Sequence, residues 1–207
     1  KEYQPYAEDF PEEQYKFLGA SVYERKEQEI DFEKTNRPVI YISLGTVIKG
    51  ATSFFGKCIE AFRNERVDVI ISVGKNFSIH KLKDVPENCK IYNEVPQLSV
   101  LRQADIFVTH GGMNSISEAL VYGVPMVVIP FMSDQPTNAR RIEELGLGKK
   151  LDYRMINSEL FRATVLSVMN DEGILANVSR IQKQMLDAPG NRGGADMIIE
   201  YYKKISR

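Results

Sequence analysis

The 207-residue sequence is poor in the residue types that build metal centres and disulfide scaffolds: it has two cysteines and two histidines. Cys58 and Cys89 lie in separate apolar segments, with no CxxC and no Cys/His clustering. That excludes a disulfide framework, speaks against zinc, and fits reduced core thiols, so the expected location is intracellular and cytoplasmic. Excess positive charge is missing too. Lys and Arg number 27 against 28 Asp and Glu, leaving a net charge of -1, and no basic block is large enough to wrap a polyanion. Nucleic acid is therefore not an expected partner. The longest apolar run, Val124 to Met132, is nine residues and contains Pro125 and Pro130. It is far too short to span a bilayer, so no membrane span is expected. No signal-peptide pattern opens the chain, and its first residue is Lys1 rather than Met, so the sequence is expected to be a piece of something longer.

What is present is an ordered alternation. Residues 1–36 are acid-rich, dotted with aromatics and without sustained periodicity, and are expected to form a connecting arm. Residues 37–207 are expected to form one domain. Within it "VIYIS" (39–43), "VDVIISV" (67–73), "CKIY" (89–92), "DIFVTH" (105–110), "PMVVIP" (125–130) and the weaker "KKLD" (149–152) have the β-branched, Gly/Pro/Asn-bounded character of buried strands. Amphipathic segments at 51–64, 97–103, 114–122 and 136–145 separate them, and helices near 157–169, 173–187 and 192–205 close the chain. Strand–helix alternation predicts the α/β class: a doubly wound, Rossmann-like parallel sheet of about six strands with helices on both faces. In such a sheet the order reverses between the first and fourth strands, and ligands bind in the crevice beyond their carboxyl ends.

Three loops are expected to meet at that crevice: "SLGTVIKG" after the first strand, "THGGMNS" after the fourth and "PFMSDQP" after the fifth. Gly111 and Gly112 allow a sharp turn and a close backbone approach, leaving the first amides of the next helix to face an anion. Asn114 and Ser115 either add side-chain donors to that anion or serve as ordinary helix caps, since Ser115 and Glu118 have capping-box spacing. On a helical wheel Ile116, Ala119 and Leu120 share the core face, whereas Ser115, Glu118 and Tyr122 share another. Glu118 lies about 4.5 Å further along the axis than Ser115, roughly the step from a phosphate to its ribose. Its carboxylate could accept both hydroxyls of a vicinal diol. His110 either donates to a diphosphate or is satisfied within the strand-end loop. Thr46 either joins the same phosphates or caps the next helix. Asp134 and Gln135 suit the hydroxyls of a hexose, with capping by Ser133 or Asp134 as the alternative. GxGxxG is absent after the first strand, which argues against a generic NAD-binding domain.

Over residues 95–135, with PQ, HxGxNS, ExxxxGVP and P-x3-DQ in order, the chain resembles the donor-binding signature of nucleotide-sugar glycosyltransferases of the two-Rossmann-domain (GT-B) type. The similarity is to the macrolide and flavonoid glycosyltransferase branch, and "ISLGT" and "DQPTNARRIEELGLG" agree with it. The resemblance implies that this chain is the carboxyl-terminal half of such a fold. It implies that the Val95 backbone meets the uracil ring and Gln97 lies near base and ribose. Glu118 would hold the ribose, while His110, Gly112, Asn114, Ser115 and Thr46 surround the diphosphate. Asp134 and Gln135 would grip the transferred sugar. Where the family carries a base-stacking aromatic, often tryptophan, this chain has Glu94, and it has no tryptophan at all.

The activity implied is inverting transfer of a hexose, glucose foremost, from a UDP-sugar to a hydroxyl of a small-molecule acceptor. The acceptor site and the catalytic base would belong to an amino-terminal domain that this sequence does not contain, leaving His110 to stabilise the leaving group. This chain alone would bind UDP or a UDP-sugar without catalysing transfer. No DxD motif is present, so neither a metal nor another cofactor is expected. His80, in "FSIHKLKD", is expected to be a surface residue rather than a relocated base. The alternative is a free-standing nucleotide-sugar-binding subunit that acts with a separate acceptor-domain protein.

Overall fold

The computed structural model describes residues 2–22, 30, 32, 35–45 and 52–206. The six strands are β1 (Val39–Ser43), β2 (Asp68–Ser72), β3 (Cys89–Tyr92), β4 (Ile106–Thr109), β5 (Met126–Val128) and β6 (Gly148–Lys150). They form one sheet in the order β3-β2-β1-β4-β5-β6, with every pairing parallel. The helices are α1 (Thr52–Phe62), α2 (Gln97–Leu101), α3 (Met113–Val121), α4 (Gln135–Glu144), α5 (Ser158–Met169), α6 (Glu172–Leu186) and α7 (Gly190–Ile205). The chain winds outward from β1 in one direction, returns to β4, and winds outward in the other. Right-handed crossovers then place the two sets of connecting helices on opposite faces.

The central strands are apolar on both sides because both faces are covered. All five residues of β1 and all four of β4 are buried. Tyr41 of β1 pairs in register with Phe107 of β4, and their rings stack at 4.7 Å with planes 6° apart. Offset aromatic pairs of this kind contribute about 0.5–1.5 kcal/mol beyond simple burial. On the flank where α1 meets α5, Phe161 sits edge-on to both Phe54 and Phe62. α3 packs on α6. Two carboxylates mark the amino ends of the strands. Asp68 is buried and ion-paired with Arg37 at 3.0 Å, and Asp105 accepts the Val39 amide at 2.8 Å. Both are committed to structure at the end of the sheet away from the crevice.

The described part of the arm lies against the domain. Arg141 of α4 donates to the backbone oxygens of Glu2 and Tyr3, at 2.6 and 3.1 Å, and Arg180 of α6 pairs with the Glu2 carboxylate. The Gly190 amide donates to Leu18 O at 2.8 Å. His80 is exposed, as the sequence predicts for it. Among the described residues, no helix is long and apolar enough to cross a membrane.

Candidate functional site

Ser43 and Thr109 are register partners at the carboxyl ends of β1 and β4, so the turns that follow them emerge side by side at the reversal point. The result is a direct contact: a β-carbon on Gly45 would come within 3.0 Å of His110 Cε1, and one on Gly112 within 2.6 Å of His110 Nε2. The imidazole is thus packed against two backbone segments, the one at Gly112 at a distance that only glycine allows. Its Nδ1 is buried and has no hydrogen-bond partner among the described residues. Burial depresses the His110 pKa, while the nearby Asp134 carboxylate acts the other way and only partly offsets it. The ring is therefore neutral at pH 7, with one nitrogen a donor and the other an acceptor. Leaving such a buried polar atom unsatisfied costs about 1–3 kcal/mol, a cost that a ligand could recover.

α3 begins at Met113, with Gly112 in the N-cap position and no side-chain cap. Its first backbone bond runs from Ile116 N–H to Gly112 O at 3.1 Å. The amides of Met113, Asn114 and Ser115 therefore have no carbonyl partner inside the helix and lie at its positive end. The capping-box alternative for Ser115 and Glu118 does not form. Ser115 is the third helical residue, not the cap, so its hydroxyl and the Glu118 carboxylate serve elsewhere. Ile116, Ala119 and Leu120 are fully buried, as the wheel predicts, whereas Asn114 is exposed and Ser115 and Glu118 are half-buried.

Gln97, the first residue of α2, closes this group. Its Nε2 donates to Glu118 Oε2 at 2.5 Å and to Ser115 Oγ at 3.3 Å. Val95 is half-buried just before it. Glu94 is exposed and ion-paired with Lys75 at 3.3 Å. Thr46 lies outside the described residues.

The loop after β5 completes the rim. Ser133 has φ +60°, a left-handed conformation that costs a non-glycine residue about 1–3 kcal/mol and persists where surrounding bonds impose it. Gln135 supplies those bonds. It is 6% exposed, and its Oε1 accepts from the amides of Phe131 at 2.9 Å and Met132 at 3.2 Å. Its carbonyl oxygen is therefore spent on the loop. Asp134 occupies the N-cap position of α4 without capping through its side chain; instead its Oδ2 accepts from Asn138 Nδ2 at 2.8 Å. Asn138 also donates to Gly111 O at 2.9 Å, tying the loop after β5 to the turn after β4. Asn138 is not among the residues the sequence singles out, although it stands four residues after Asp134, the spacing at which helical side chains meet. Tyr3 reaches the same neighbourhood from the arm. Burial pushes its phenol up to about 12, with Arg141 opposing that shift and Asp134 adding to it, and its hydroxyl is buried without a partner among the described residues.

His110, Gly112, Ser115, Glu118 and Gln97 thus share one crevice with an exposed acid, Asp134, at its edge. A helix end rich in free amides, an imidazole beside it and a carboxylate one turn further on suit a diphosphate joined to a diol. Among the described residues, no group of three His, Cys, Asp or Glu is placed to hold a metal.

The fold is a Rossmann-like domain of the GT-B type. The family model for UDP-glucoronosyl and UDP-glucosyl transferase matches residues 15–192, and the chain belongs to that family. It is 41% identical over 199 residues to an NDP-glycosyltransferase, YjiC, from Bacillus licheniformis, covering 95% of this chain and 50% of that protein. Among solved structures, CalG4, the calicheamicin glycosyltransferase, superposes with a TM-score of 0.90 at 28% identity, over 99% of this chain and 52% of that one. Os79 from O. sativa in complex with UDP superposes with a TM-score of 0.69 at 27% identity, over 81% of this chain and 41% of that one. The chain spans about half the length of the curated relatives it matches.

Proposed function

We propose that this chain is the donor-binding half of an inverting glycosyltransferase. It would hold UDP-glucose or a closely related UDP-hexose while a separate amino-terminal domain supplies the acceptor hydroxyl and the general base. The observation that carries this reading is the buried Nδ1 of His110, without a partner among the described residues and set beside the start of α3, which has no side-chain cap, at the point where the strand order reverses. Family membership and the UDP complex of Os79 support it.

In the reaction the acceptor oxygen attacks the anomeric carbon from one face as the bond to the β-phosphate oxygen breaks on the other, inverting that centre. Charge grows on the departing diphosphate. Amides at the start of α3, the Ser115 hydroxyl and His110 are preorganised donors for it, which favours the transition state over the ground state. Glu118 accepts from the ribose hydroxyls, and Asp134 from the hexose. No step requires a metal, so chelator is expected to leave UDP affinity unchanged.

Titration calorimetry with UDP, UDP-glucose, dTDP and NAD tests the proposal. UDP and UDP-glucose are expected to bind; NAD binding without UDP binding would end it. Two further outcomes follow from the geometry. A diphosphate beside His110 favours the charged ring, raising a pKa that burial holds down in the free protein. Binding should then take up protons at neutral pH, and affinity should rise as pH falls through the complexed histidine's pKa, levelling off below that of the free one. Calorimetry in buffers of different ionisation enthalpy measures the uptake, which should vanish in His110→Ala. Asn138→Ala removes the tie that orients Asp134. It is expected to weaken UDP-glucose binding by about tenfold, the worth of a hydrogen bond to a charged group, and UDP binding much less. Equal losses for the two ligands would detach Asp134 from the sugar.

A further inference from the structure

We propose that Tyr41, a buried core residue of β1, is a positioning residue that fixes the orientation of the Gln97 amide between the ribose and phosphate subsites. The inference rests on the donor-site reading above, but on a different set of contacts. Tyr41 is 1% exposed, and its hydroxyl lies 3.2 Å from Gln97 Oε1. The other end of the same amide reaches Glu118 Oε2 and Ser115 Oγ.

With Glu118 ionised, these three contacts are satisfied by one arrangement. An ionised Glu118 only accepts, so the amide must turn its NH2 toward it, which leaves the amide oxygen facing Tyr41. That oxygen only accepts, so the Tyr41 hydroxyl must be the donor. The second amide proton goes to Ser115 Oγ, and the serine must direct its own proton elsewhere, toward the uncapped end of α3. The phenol thus fixes one end of the amide whose other end meets Glu118, an acceptor as a diol requires, and Ser115, left a donor as a phosphate requires. Stacking on Phe107 holds the tyrosine ring in place between two fully buried strands.

Tyr41→Phe keeps the stacked ring and removes only the donor. Gln97 still turns its NH2 toward the carboxylate, but it loses the bond that fixes the plane of its amide, so the angle at which it meets Glu118 is set less firmly. The readout is the preference of the 207-residue chain for UDP over 2′-deoxy-UDP, because a purely structural role would weaken both ligands alike. The wild type is expected to prefer UDP by about tenfold, since one hydroxyl bonded to a carboxylate is at stake, and Tyr41→Phe should cut that preference to about threefold. In a Gln97→Ala background Tyr41→Phe should change the ratio no further. Thermal melting of each variant separates these effects from loss of fold. An unchanged ratio in Tyr41→Phe, a wild type indifferent to the 2′-hydroxyl, or an equal change with and without Gln97 would overturn the inference while leaving UDP binding intact. A wild type that binds neither nucleotide would instead remove the donor-site reading itself.

Discussion

Replacing His110 with alanine is expected to lower the turnover of glycosyl transfer by about 10²-fold, the usual cost of removing one well-aimed donor from a preorganised site. The donor KM should move far less. The reason is a difference in charge between two states. In the proposed complex a bound UDP-sugar would carry its phosphate charge delocalised and already solvated by the α3 amides, whereas the departing diphosphate would gain charge on the oxygen that leaves the sugar. A group that meets that oxygen contributes mainly in the transition state, so its loss appears in kcat rather than in binding. Gly45 and Gly112 both pack against the ring: a β-carbon on Gly112 would lie 2.6 Å from Nε2, too close to fit, and one on Gly45 3.0 Å from Cε1. Steady-state kinetics on the catalytically complete protein, with the acceptor-binding half present, separates the two parameters. Unchanged turnover with a raised donor KM would assign His110 to ground-state binding alone.

Gly111→Ala is expected to cost about 3 kcal/mol of folding stability, from two sources that a smaller rearrangement cannot relieve together. Gly111 has φ +87°, a conformation L side chains rarely adopt, and a β-carbon there would lie 2.6 Å from Val128 Cγ1 at the end of β5. Val128 is fully buried between β4 and β6, so it has nowhere to retreat. Its displacement would also shift the loop that carries Asp134. Denaturant unfolding measures the loss. A variant as stable as the wild type would mean that the turn relaxes and does not hold the crevice rigidly. The substitution answers why this turn contains two adjacent glycines. Gly111 is there for its backbone angle and for Val128, and Gly112, at φ -64° and ψ 139°, is there for the imidazole.

Much of this is legible in the residues themselves. The runs 39–43 and 89–92 coincide with β1 and β3, and the reversal between the first and fourth strands follows from the alternation of strands and helices. The edge strand β6 starts one residue and ends two residues before the expected 149–152. Its only buried residue is Gly148, where any β-carbon would run into Met126 O, while Lys149 and Lys150 face solvent, so no apolar pattern marks it. The final helix starts at Gly190 rather than near 192, since Gly193 and Gly194 are inside it, and Gly194 makes room for Leu18 of the arm. Within the site, His110, Gly112, Ser115 and Glu118 lie within nine residues, so local pattern is enough to group them. The bonds that aim them are hidden. Tyr41 meets Gln97 across 56 residues and Gln97 meets Glu118 across 21, pairings that only the sheet order creates. Gln135 turns inward because the Phe131 and Met132 amides need an acceptor, a demand visible only once the left-handed Ser133 is in place. Thr46, expected at the phosphates, lies outside the described residues.

A crystal structure of the 207-residue chain with UDP tests the central claim most directly. The account predicts the diphosphate against the Met113–Ser115 amides, within hydrogen-bond reach of His110, and the ribose hydroxyls on Glu118. UDP bound elsewhere, with the α3 end and the His110 ring untouched, would contradict it.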